Sequence, residues 1–345
     1  MWKYVLKRIG LALITAFTIL SLTFILMKLL PIDRPVGKAD VIYSYWMNQV
    51  HQGFVTREIR PMPSLGEELW KTITPDGKRY YFYQVPVMQQ YFSWLRNVVC
   101  HWDWGVSSKI KPNVSAIKII GERLPVSMSI NIISVIISVP LGILLGVIAA
   151  LKKNKTTDHV ISTGIMIFIS VPSFVLITLL MSFFCYNLQW LPSKWPTSSA
   201  TPGMKALGYI LPVVSLSFGS ICGYARFTRA DLCEVMSSDY LLLARTKGLT
   251  KRQAILRHAL RNAMVPIVPS ILAEFISILG GSMILENLYG IPGIGEIFVR
   301  ALSSKDYNVL LVDMAIFTSI GLLAGVILDI SYGFIDPRIR MGAKK

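Results

Sequence analysis

Six stretches of apolar residues, each about as long as a membrane is thick, determine what this chain can fold into. A helix needs about 20 such residues to cross the hydrocarbon core. Of the 345 residues, 53% are hydrophobic, which is too many for a soluble domain of this size. The sequence therefore predicts an all-α polytopic membrane protein with six transmembrane helices. They are expected at residues 9–30, 126–151, 159–188, 207–224, 264–285 and 308–330.

The basic residues predict how the chain is oriented. The net charge is +16, but the Lys and Arg residues lie at the ends of the apolar stretches and form no single stripe for nucleic acid. Cytoplasmic loops are enriched in Lys and Arg. With both termini in the cytoplasm, 18 of the 35 basic residues lie on the cytoplasmic side, and the long outer loop that carries 12 translocates largely regardless of charge. The first helix is expected to stay uncleaved, because no small-residue cleavage site follows it.

A long polar region, residues 31–123, lies between the first two helices and is too rich in aromatic residues to be disordered. Within it, Pro75, Asp76 and Gly77 separate two segments of β-branched and aromatic residues, a pattern typical of a β-hairpin. We predict a small outer α+β subdomain here. The predicted boundaries are 1–30 for the basic lead and first helix, 31–123 for the subdomain, and 124–345 for a core with five helices.

One segment outside the apolar stretches, residues 237–263, is both basic and amphipathic. The serine pair at 237–238 can cap a first helix, and Gly248 supplies the left-handed residue that ends it. Thr250 and Gln253 have the spacing of a capping box for a second helix. A bias of basic residues toward the cytoplasm explains the charges, but it explains neither the caps nor the glycine. The segment predicts a helix, a glycine corner and a second helix, which suits a groove on another protein.

This segment resembles the cytoplasmic signature of binding-protein-dependent ABC importer permeases, roughly E-A-A-x-x-x-G-x9-I-x-L-P. Only Ala244, Gly248 and Leu260 match that pattern literally. The departures resemble the peptide/nickel branch of the family, where ARAKGL followed by a RHALRNA-like string is usual, because residues 244–263 read ARTKGLTKRQAILRHALRNA. The resemblance extends from Trp2 to Arg340 apart from an enlarged first loop. It includes Pro-Ser-Phe at 172–174, ENLYGIPGIG at 286–295, Asp-Tyr at 306–307 and DPRIR at 336–340.

The resemblance implies a type I ABC importer permease, similar to the first permease subunit of oligopeptide and dipeptide systems, in the inner (plasma) membrane of a bacterium. The implied partners are a homologous second permease, two ATPase subunits and an external substrate-binding protein. Peptides are the expected cargo, although nickel complexes, glutathione and some oligosaccharides use permeases with these motifs. In the family, this segment docks on the ATPase. The implied coupling residues are Tyr240, Leu243, Ala244, Arg245, Lys247, Gly248, Leu249, Arg252 and His258.

The sequence holds no motif for nucleotide or metal chemistry. The pattern G-x-x-x-x-G-K-[ST] does not occur, so ATP and Mg²⁺ are expected on the partner ATPases and no cofactor is expected on this chain. The four histidines lack paired-ligand spacing, and the four cysteines include no C-x-x-C. We therefore expect a transport subunit without catalytic residues or a metal site.

Two acidic residues fall inside predicted spans, Glu274 in the fifth and Asp313 in the sixth. Such groups are costly in hydrocarbon unless they face a cavity or a partner. Glu274 belongs to a stripe of small and polar residues, Ser270, Glu274, Ser277 and Gly281, at i, i+4, i+7 and i+11. The stripe can line a translocation path, or it can form a tight helix seam. An ion-coupled secondary transporter that uses Glu274 and Asp313 is the alternative function, although such proteins usually show internal repeats and none is visible here.

Overall fold

The computed structural model describes residues 2–30, 39–66, 68–73, 78–255, 259–277 and 282–335, and these residues are mostly helical. The elements in chain order are α1 (Trp2–Leu29), α2 (Ala39–His51), β1 (Val55–Glu58), β2 (Glu68–Ile73), β3 (Arg79–Gln84), α3 (Val87–His101), α4 (Ala116–Leu151), α5 (Thr156–Ile169), α6 (Ser173–Leu180), α7 (Pro202–Val235), α8 (Asp239–Thr246), α9 (Lys251–Ala254), α10 (Leu260–Ser277), α11 (Met283–Tyr289), α12 (Ile294–Ser304) and α13 (Tyr307–Ile335). A π-helix, Met181–Asn187, continues α6.

Four of the described helices are long and apolar enough to cross a membrane: α4, α7, the Val5–Leu29 part of α1 and the Tyr307–Ser331 part of α13. A fifth span is reached if the α5 and α6 pair counts as one. The predicted fifth span, 264–285, covers most of α10 and the first residues of α11, and its apolar helix Asn262–Phe275 is shorter than a span. The residues between α10 and α11 lie outside the described part, so the count of six stays a prediction.

The predicted third span is broken at Pro172, as its Pro-Ser-Phe motif indicated. α5 ends at Ile169 and α6 begins at Ser173, with a bend of 98° between the two helices. Proline has no backbone N–H and disfavours a helical conformation in the residue before it. Pro172 instead occupies the N-cap position of α6 in an extended conformation, and its carbonyl accepts a hydrogen bond from the Val175 amide at 3.0 Å.

The contacts between Cα atoms divide the chain into two compact units. The helical unit comprises Met1–Val5, Pro125–Glu296 and Ile320–Lys345, and the sheet unit comprises Leu6–Leu124 and Ile297–Ser319.

In the helical unit, α7 is the helix against which α5, α6 and α10 pack. α7 runs to Val235, well beyond the expected end at residue 224, so Arg226 and Arg229 lie within the helix. The Gly-x-x-x-Gly motif of α4 also packs against α7. A Cβ on Gly142 would lie 2.8 Å from the Ile221 carbonyl oxygen, and one on Gly146 would lie 2.7 Å from that of Ala225. The motif therefore permits the close approach that the sequence predicted.

In the sheet unit, the two segments on either side of the predicted turn pair as antiparallel strands β2 and β3. The turn residues Pro75, Asp76 and Gly77 lie outside the described part of the chain. A third strand that the sequence analysis did not identify, β1, pairs antiparallel with β3, so the strand order is β1-β3-β2. The sheet packs through Phe82 against Trp46 of α2, which is 1% exposed.

Candidate functional site

The basic segment folds as the predicted helix and glycine corner, and the second helix is described over Lys251–Ala254. α8 ends at Thr246 and α9 begins at Lys251. Between them Gly248 has a φ of +92°, a conformation that disfavours any residue with a Cβ. The capping box is confirmed, because the Thr250 amide donates to Oε1 of Gln253 at 3.1 Å and the Gln253 amide donates to Oγ1 of Thr250 at 3.3 Å.

The serines that precede α8 act differently from the expected side-chain caps. The Ser237 hydroxyl donates to the Glu234 carbonyl at 2.7 Å, and the Ser238 hydroxyl donates to the Val235 carbonyl at 2.5 Å. Ser238 still occupies the position before α8, where its carbonyl accepts from the Leu241 amide at 3.1 Å. Both hydroxyls thus satisfy carbonyls in the last turn of α7 and fix the corner between α7 and α8.

A small apolar cluster anchors this segment to the ends of two long helices. Leu241, Ala254, Ile255 and Ala259 are buried with Ala150 of α4 and Leu232 of α7, and Leu249 packs against them. Leu242 and Leu243 of α8 are 62% and 57% exposed, and Lys247, which follows the helix, is also exposed. Two adjacent exposed leucines on one helix form a surface suited to a protein partner.

The predicted coupling residues divide into three groups. Leu243, Lys247 and Gly248 are exposed on α8 and the corner, and Leu249 is half-buried. The side chains of Tyr240, Ala244, Arg245 and Arg252 lie outside the described part, although their backbone lies in α8 and α9. His258 lies outside the described residues altogether.

An ion pair close to this segment, with a buried carboxylate and a guanidinium that is 31% exposed, was not found from the sequence. The Arg229 guanidinium on α7 donates to the Asp158 carboxylate on α5 through Nε at 2.6 Å and Nη2 at 2.8 Å. The Asn154 amide and the Ser162 hydroxyl also donate to Asp158, which is 1% exposed. The sequence did offer one signal for this pair. Asp158 lies at the start of the third apolar stretch and Arg229 follows the end of the fourth, and two neighbouring antiparallel helices would bring these ends together.

Two residues of the stripe, Ser270 and Glu274 on α10, contact α7. The Ser220 hydroxyl donates to Oε1 of Glu274, and the Tyr224 hydroxyl donates to the Ser270 carbonyl at 3.4 Å. Both Ser270 and Glu274 are half-buried. The Ser277 side chain and all of Gly281 lie outside the described part. Asp313, the acid of the last predicted span, is fully buried in α13.

The ENLYGIPGIG motif is built around the Glu286 carboxylate. It accepts hydrogen bonds from the Ser127 hydroxyl at 2.7 Å and from the Gly295 and Glu296 amides at 2.7 and 3.1 Å. The Ser282 amide also donates to it at 3.4 Å. Burial raises the pKa of Glu286 above its usual range, and these hydrogen bonds act in the opposite direction. The carboxylate therefore holds the first turn of α12 to α11 and α4.

In the sheet unit, Asp306 is fully buried between α12 and α13, where it serves as the acceptor for a loop. The Ser107 hydroxyl and the Lys109 and Ile110 amides donate to its Oδ2 at 2.5, 3.0 and 3.0 Å. The Ser108 amide donates to its Oδ1 at 3.2 Å. Successive amides turned toward one carboxylate form an anion nest. No group of three or more His, Cys, Asp or Glu suited to a metal ion occurs among the described residues.

Residues 142–341 match the family described as binding-protein-dependent transport system inner membrane component. The chain is 33% identical over 346 residues to the dipeptide transport system permease protein DppB of Lactococcus lactis, a match that covers 99% of this chain and all of the relative. It is likewise 33% identical over 340 residues to the oligopeptide transport system permease protein OppB of Escherichia coli K12, covering 99% of this chain and all of that one. A solved structure titled as inward-facing conformations of the MetNI methionine ABC transporter aligns with a TM-score of 0.48 and 16% identity, over 62% of this chain and 97% of that one.

Proposed function

Because this chain belongs to the family of binding-protein-dependent transport system inner membrane components, we propose that it is the channel-forming subunit of an ATP-driven peptide importer of type I architecture. The names of the relatives support oligopeptides or dipeptides as the cargo. The subunit would span the inner membrane of a bacterium with both termini in the cytoplasm. Substrate would pass by alternating access between two homologous permeases.

The energy for transport would come from partner subunits. The chain contains no G-x-x-x-x-G-K-[ST] sequence, so ATP and Mg²⁺ would bind two ATPase subunits on the cytoplasmic face. An external binding protein would deliver the peptide from the other side. The ion-coupled alternative with Glu274 and Asp313 is not favoured, because the family works with binding proteins.

The observation that carries the proposal is the exposed outer side of α8. Leu242 and Leu243 project outward while Leu241 fixes the same helix to the cluster with Ala150 and Leu232. A partner that binds these two leucines would transmit its movement to α4 and α7, because α8 is packed against the ends of both helices. We assign residues 237–263 as the ATPase dock on this basis.

The test compares two variants of the dock with two matched controls in the transporter reconstituted with its ATPases and binding protein. Gly248→Val strains a residue at φ +92° by about 1–2 kcal/mol, and Leu243→Asp removes an apolar contact. Gly66→Val is the control for backbone strain, since Gly66 has a φ of +98° with open space around it in the sheet unit. Ile59→Asp is the control for the apolar contact, since Ile59 is 60% exposed there.

Peptide-stimulated ATP hydrolysis is expected to fall at least tenfold in both dock variants and to stay within about twofold of wild type in both controls, because a contact worth about 1.4 kcal/mol changes an equilibrium tenfold. Membrane insertion should persist in all four. Unchanged stimulation in both dock variants would remove the assignment of 237–263.

We further propose that Ser270, Glu274, Ser277 and Gly281 border the translocation path. The half-buried positions of Ser270 and Glu274 support this assignment, whereas their hydrogen bonds to α7 suit a helix seam equally well. Cysteines at these four positions, in a background without native cysteines, should react with a membrane-impermeant thiol reagent when ATP and peptide are present. If none reacts in any state, the stripe is packing and Glu274 is a structural hydrogen-bonding group.

A further inference from the structure

One helix of the sheet unit carries apolar side chains on two faces. α3 presents Met88, Phe92, Leu95 and Val99 at i, i+4, i+7 and i+11, and Trp102 follows directly after the helix. At 100° per residue these positions form a single stripe. The exposed fractions are 55% for Met88, 61% for Phe92, 72% for Val99 and 69% for Trp102. Exposed apolar side chains grouped in this way along one helix indicate a partner.

The other apolar face of α3 packs on the membrane-spanning helix α1. Tyr91 and Trp94 are 8% and 5% exposed. The Tyr91 hydroxyl lies 2.9 Å from the Ser21 hydroxyl, and the Trp94 ring stacks on Phe24 at 4.8 Å between centroids. α3 is therefore attached to α1 through Ser21 and Phe24.

The positions of these two residues along α1 fix the depth of α3. The apolar span of α1, Val5–Leu29, has 25 residues and is about 38 Å long at 1.5 Å per residue, which exceeds a hydrocarbon core of about 30 Å by about 4 Å at each end. Phe24 and Ser21 lie five and eight residues before Leu29, about 8 and 12 Å from the end of the span. The contacts of α3 thus fall at the edge of the hydrocarbon, about 4–8 Å inside it.

We propose that α3 is an interfacial helix that lies in the outer surface of the bilayer, with Met88, Phe92, Val99 and Trp102 in contact with lipid. Interfacial helices bury their apolar face about 5–10 Å into the boundary between headgroups and acyl chains, which matches the depth of Ser21 and Phe24. This depth favours lipid as the occupant of the exposed stripe. Because α3 is attached to the outer turns of a spanning helix, its exposed face adjoins the bilayer.

The polar residues of α3 agree with lipid as the partner. α3 contains neither Asp nor Glu. The exposed Arg96 lies 40° from Phe92 on the helical projection, at the border of the apolar stripe, where its guanidinium can reach phosphate headgroups while its methylenes remain in the apolar layer. Trp102, at the end of the helix, is a residue type enriched at membrane interfaces.

The test places nitroxide labels on α3 of the full chain in lipid nanodiscs, alone and assembled with its partner subunits. Single cysteines at Phe92 and Val99 report on the apolar stripe. Gln89→Cys and the native, exposed Cys100 are the controls, because they lie about 100° and 120° around the helix from Met88. Collisions with oxygen, which partitions into lipid, are compared with collisions with a water-soluble nickel complex.

Collisions with oxygen should exceed those with nickel several-fold at 92 and 99, and the ratio should reverse at 89 and 100. Nickel access at 92 and 99 equal to that of the controls would mean that the face points to water, which overturns the proposal. Protection of 92 and 99 from both reagents would mean that a protein covers them, which overturns it equally.

A second measurement uses the protein without labels. Nanodiscs made with lipids brominated near the headgroup end of the acyl chain should quench the fluorescence of Trp102. The quenched fraction should then be smaller in Trp102→Phe than in wild type. An equal quenched fraction in the two proteins would count against lipid contact at the end of α3.

Discussion

Arg229 holds Asp158 through two hydrogen bonds, Nε to Oδ1 at 2.6 Å and Nη2 to Oδ2 at 2.8 Å, and thereby fixes the first turn of α5 to α7. The pair lies one turn before Leu232, which belongs to the cluster that anchors α8. An ion pair in this position can stabilise the part of α7 that contacts α8.

Breaking this pair from one side should destabilise the subunit strongly. Asp158→Asn leaves Arg229 without its carboxylate, and Arg229→Met leaves a carboxylate that is 1% exposed without its counter-charge. Loss of one partner of a fully buried ion pair costs about 3–5 kcal/mol, and the 31% exposure of the Arg229 side chain lowers the cost here. We expect a clear drop in the thermal unfolding temperature of the purified subunit in detergent for each single variant.

The double variant tests whether Asp158 and Arg229 stabilise the subunit through each other. Replacing both partners by neutral residues removes the uncompensated charge as well, so Asp158→Asn with Arg229→Met should recover part of the loss. Additive losses in the double variant would show that each residue acts through other contacts.

The close packing of Gly142 and Gly146 on α4 can be tested against two control glycines in the same chain, Gly321 and Gly325. An added Cβ at Gly142 or Gly146 would lie 2.6 Å from the Cβ of Tyr224 or Thr228, whereas at Gly321 and Gly325 it would meet nothing within 4 Å. Overpacking costs about 1–3 kcal/mol. Alanine at 142 or 146 should therefore lower the unfolding temperature of the isolated subunit. Alanine at 321 or 325 should leave it unchanged or raise it, because alanine favours a helix by about 1 kcal/mol over glycine.

A similar loss at all four positions would mean that helix propensity and local flexibility, and not close approach to α7, decide the effect. A loss at 321 or 325 that appears only in the assembled transporter would instead place α13 against a partner subunit.

How far the sequence could predict this structure depended on how local each interaction is. The corner at Gly248 and the capping box of Thr250 and Gln253 involve residues a few positions apart, so their spacing alone predicted them. The side chains of Asp158 and Arg229 are 71 residues apart, and those of Ser127 and Glu286 are 159 apart. Such pairs depend on which helices become neighbours, which hydrophobic periodicity does not reveal.

The helix boundaries show the same limit. Hydropathy placed the end of the fourth span near Tyr224, but α7 continues to Val235 because Arg229 finds a buried partner and Leu232 joins an apolar cluster. The strand β1 was missed because its four residues alternate too briefly to stand out, and it is defined only by pairing with β3. Motif resemblance drew attention to Glu286 and Asp306, but it did not indicate what they bind.

The Asp306 carboxylate should order residues 107–110, whose hydroxyl and amide groups donate hydrogen bonds to it. Asp306→Asn replaces one acceptor oxygen by a donor, which faces either the Ser108 amide at the Oδ1 position or the donors of Ser107, Lys109 and Ile110 at the Oδ2 position. A hydrogen bond to a charged group contributes about 1.5–3 kcal/mol. The amides of Lys109 and Ile110 should then exchange with deuterium at least tenfold faster. Glu122→Gln is the control, because its ion pair with Lys111 at 2.7 Å is exposed and screened by solvent. Equal exchange in wild type and Asp306→Asn would show that other contacts order the loop.

Glu286 should make stability depend on pH in a defined direction. Burial raises its pKa in the folded protein above the value of 4.5 that it has in an unfolded chain, so the folded state binds the proton more tightly. The free energy of unfolding that Glu286 contributes is then greatest below pH 4.5 and falls as the pH rises through the raised pKa. Glu286→Gln cannot titrate, so the difference in unfolding temperature, wild type minus variant, should shrink between pH 4 and 7.5 in detergent. A difference that grows with pH would mean that the hydrogen bonds from Ser127, Gly295 and Glu296 outweigh burial and hold the carboxylate ionised.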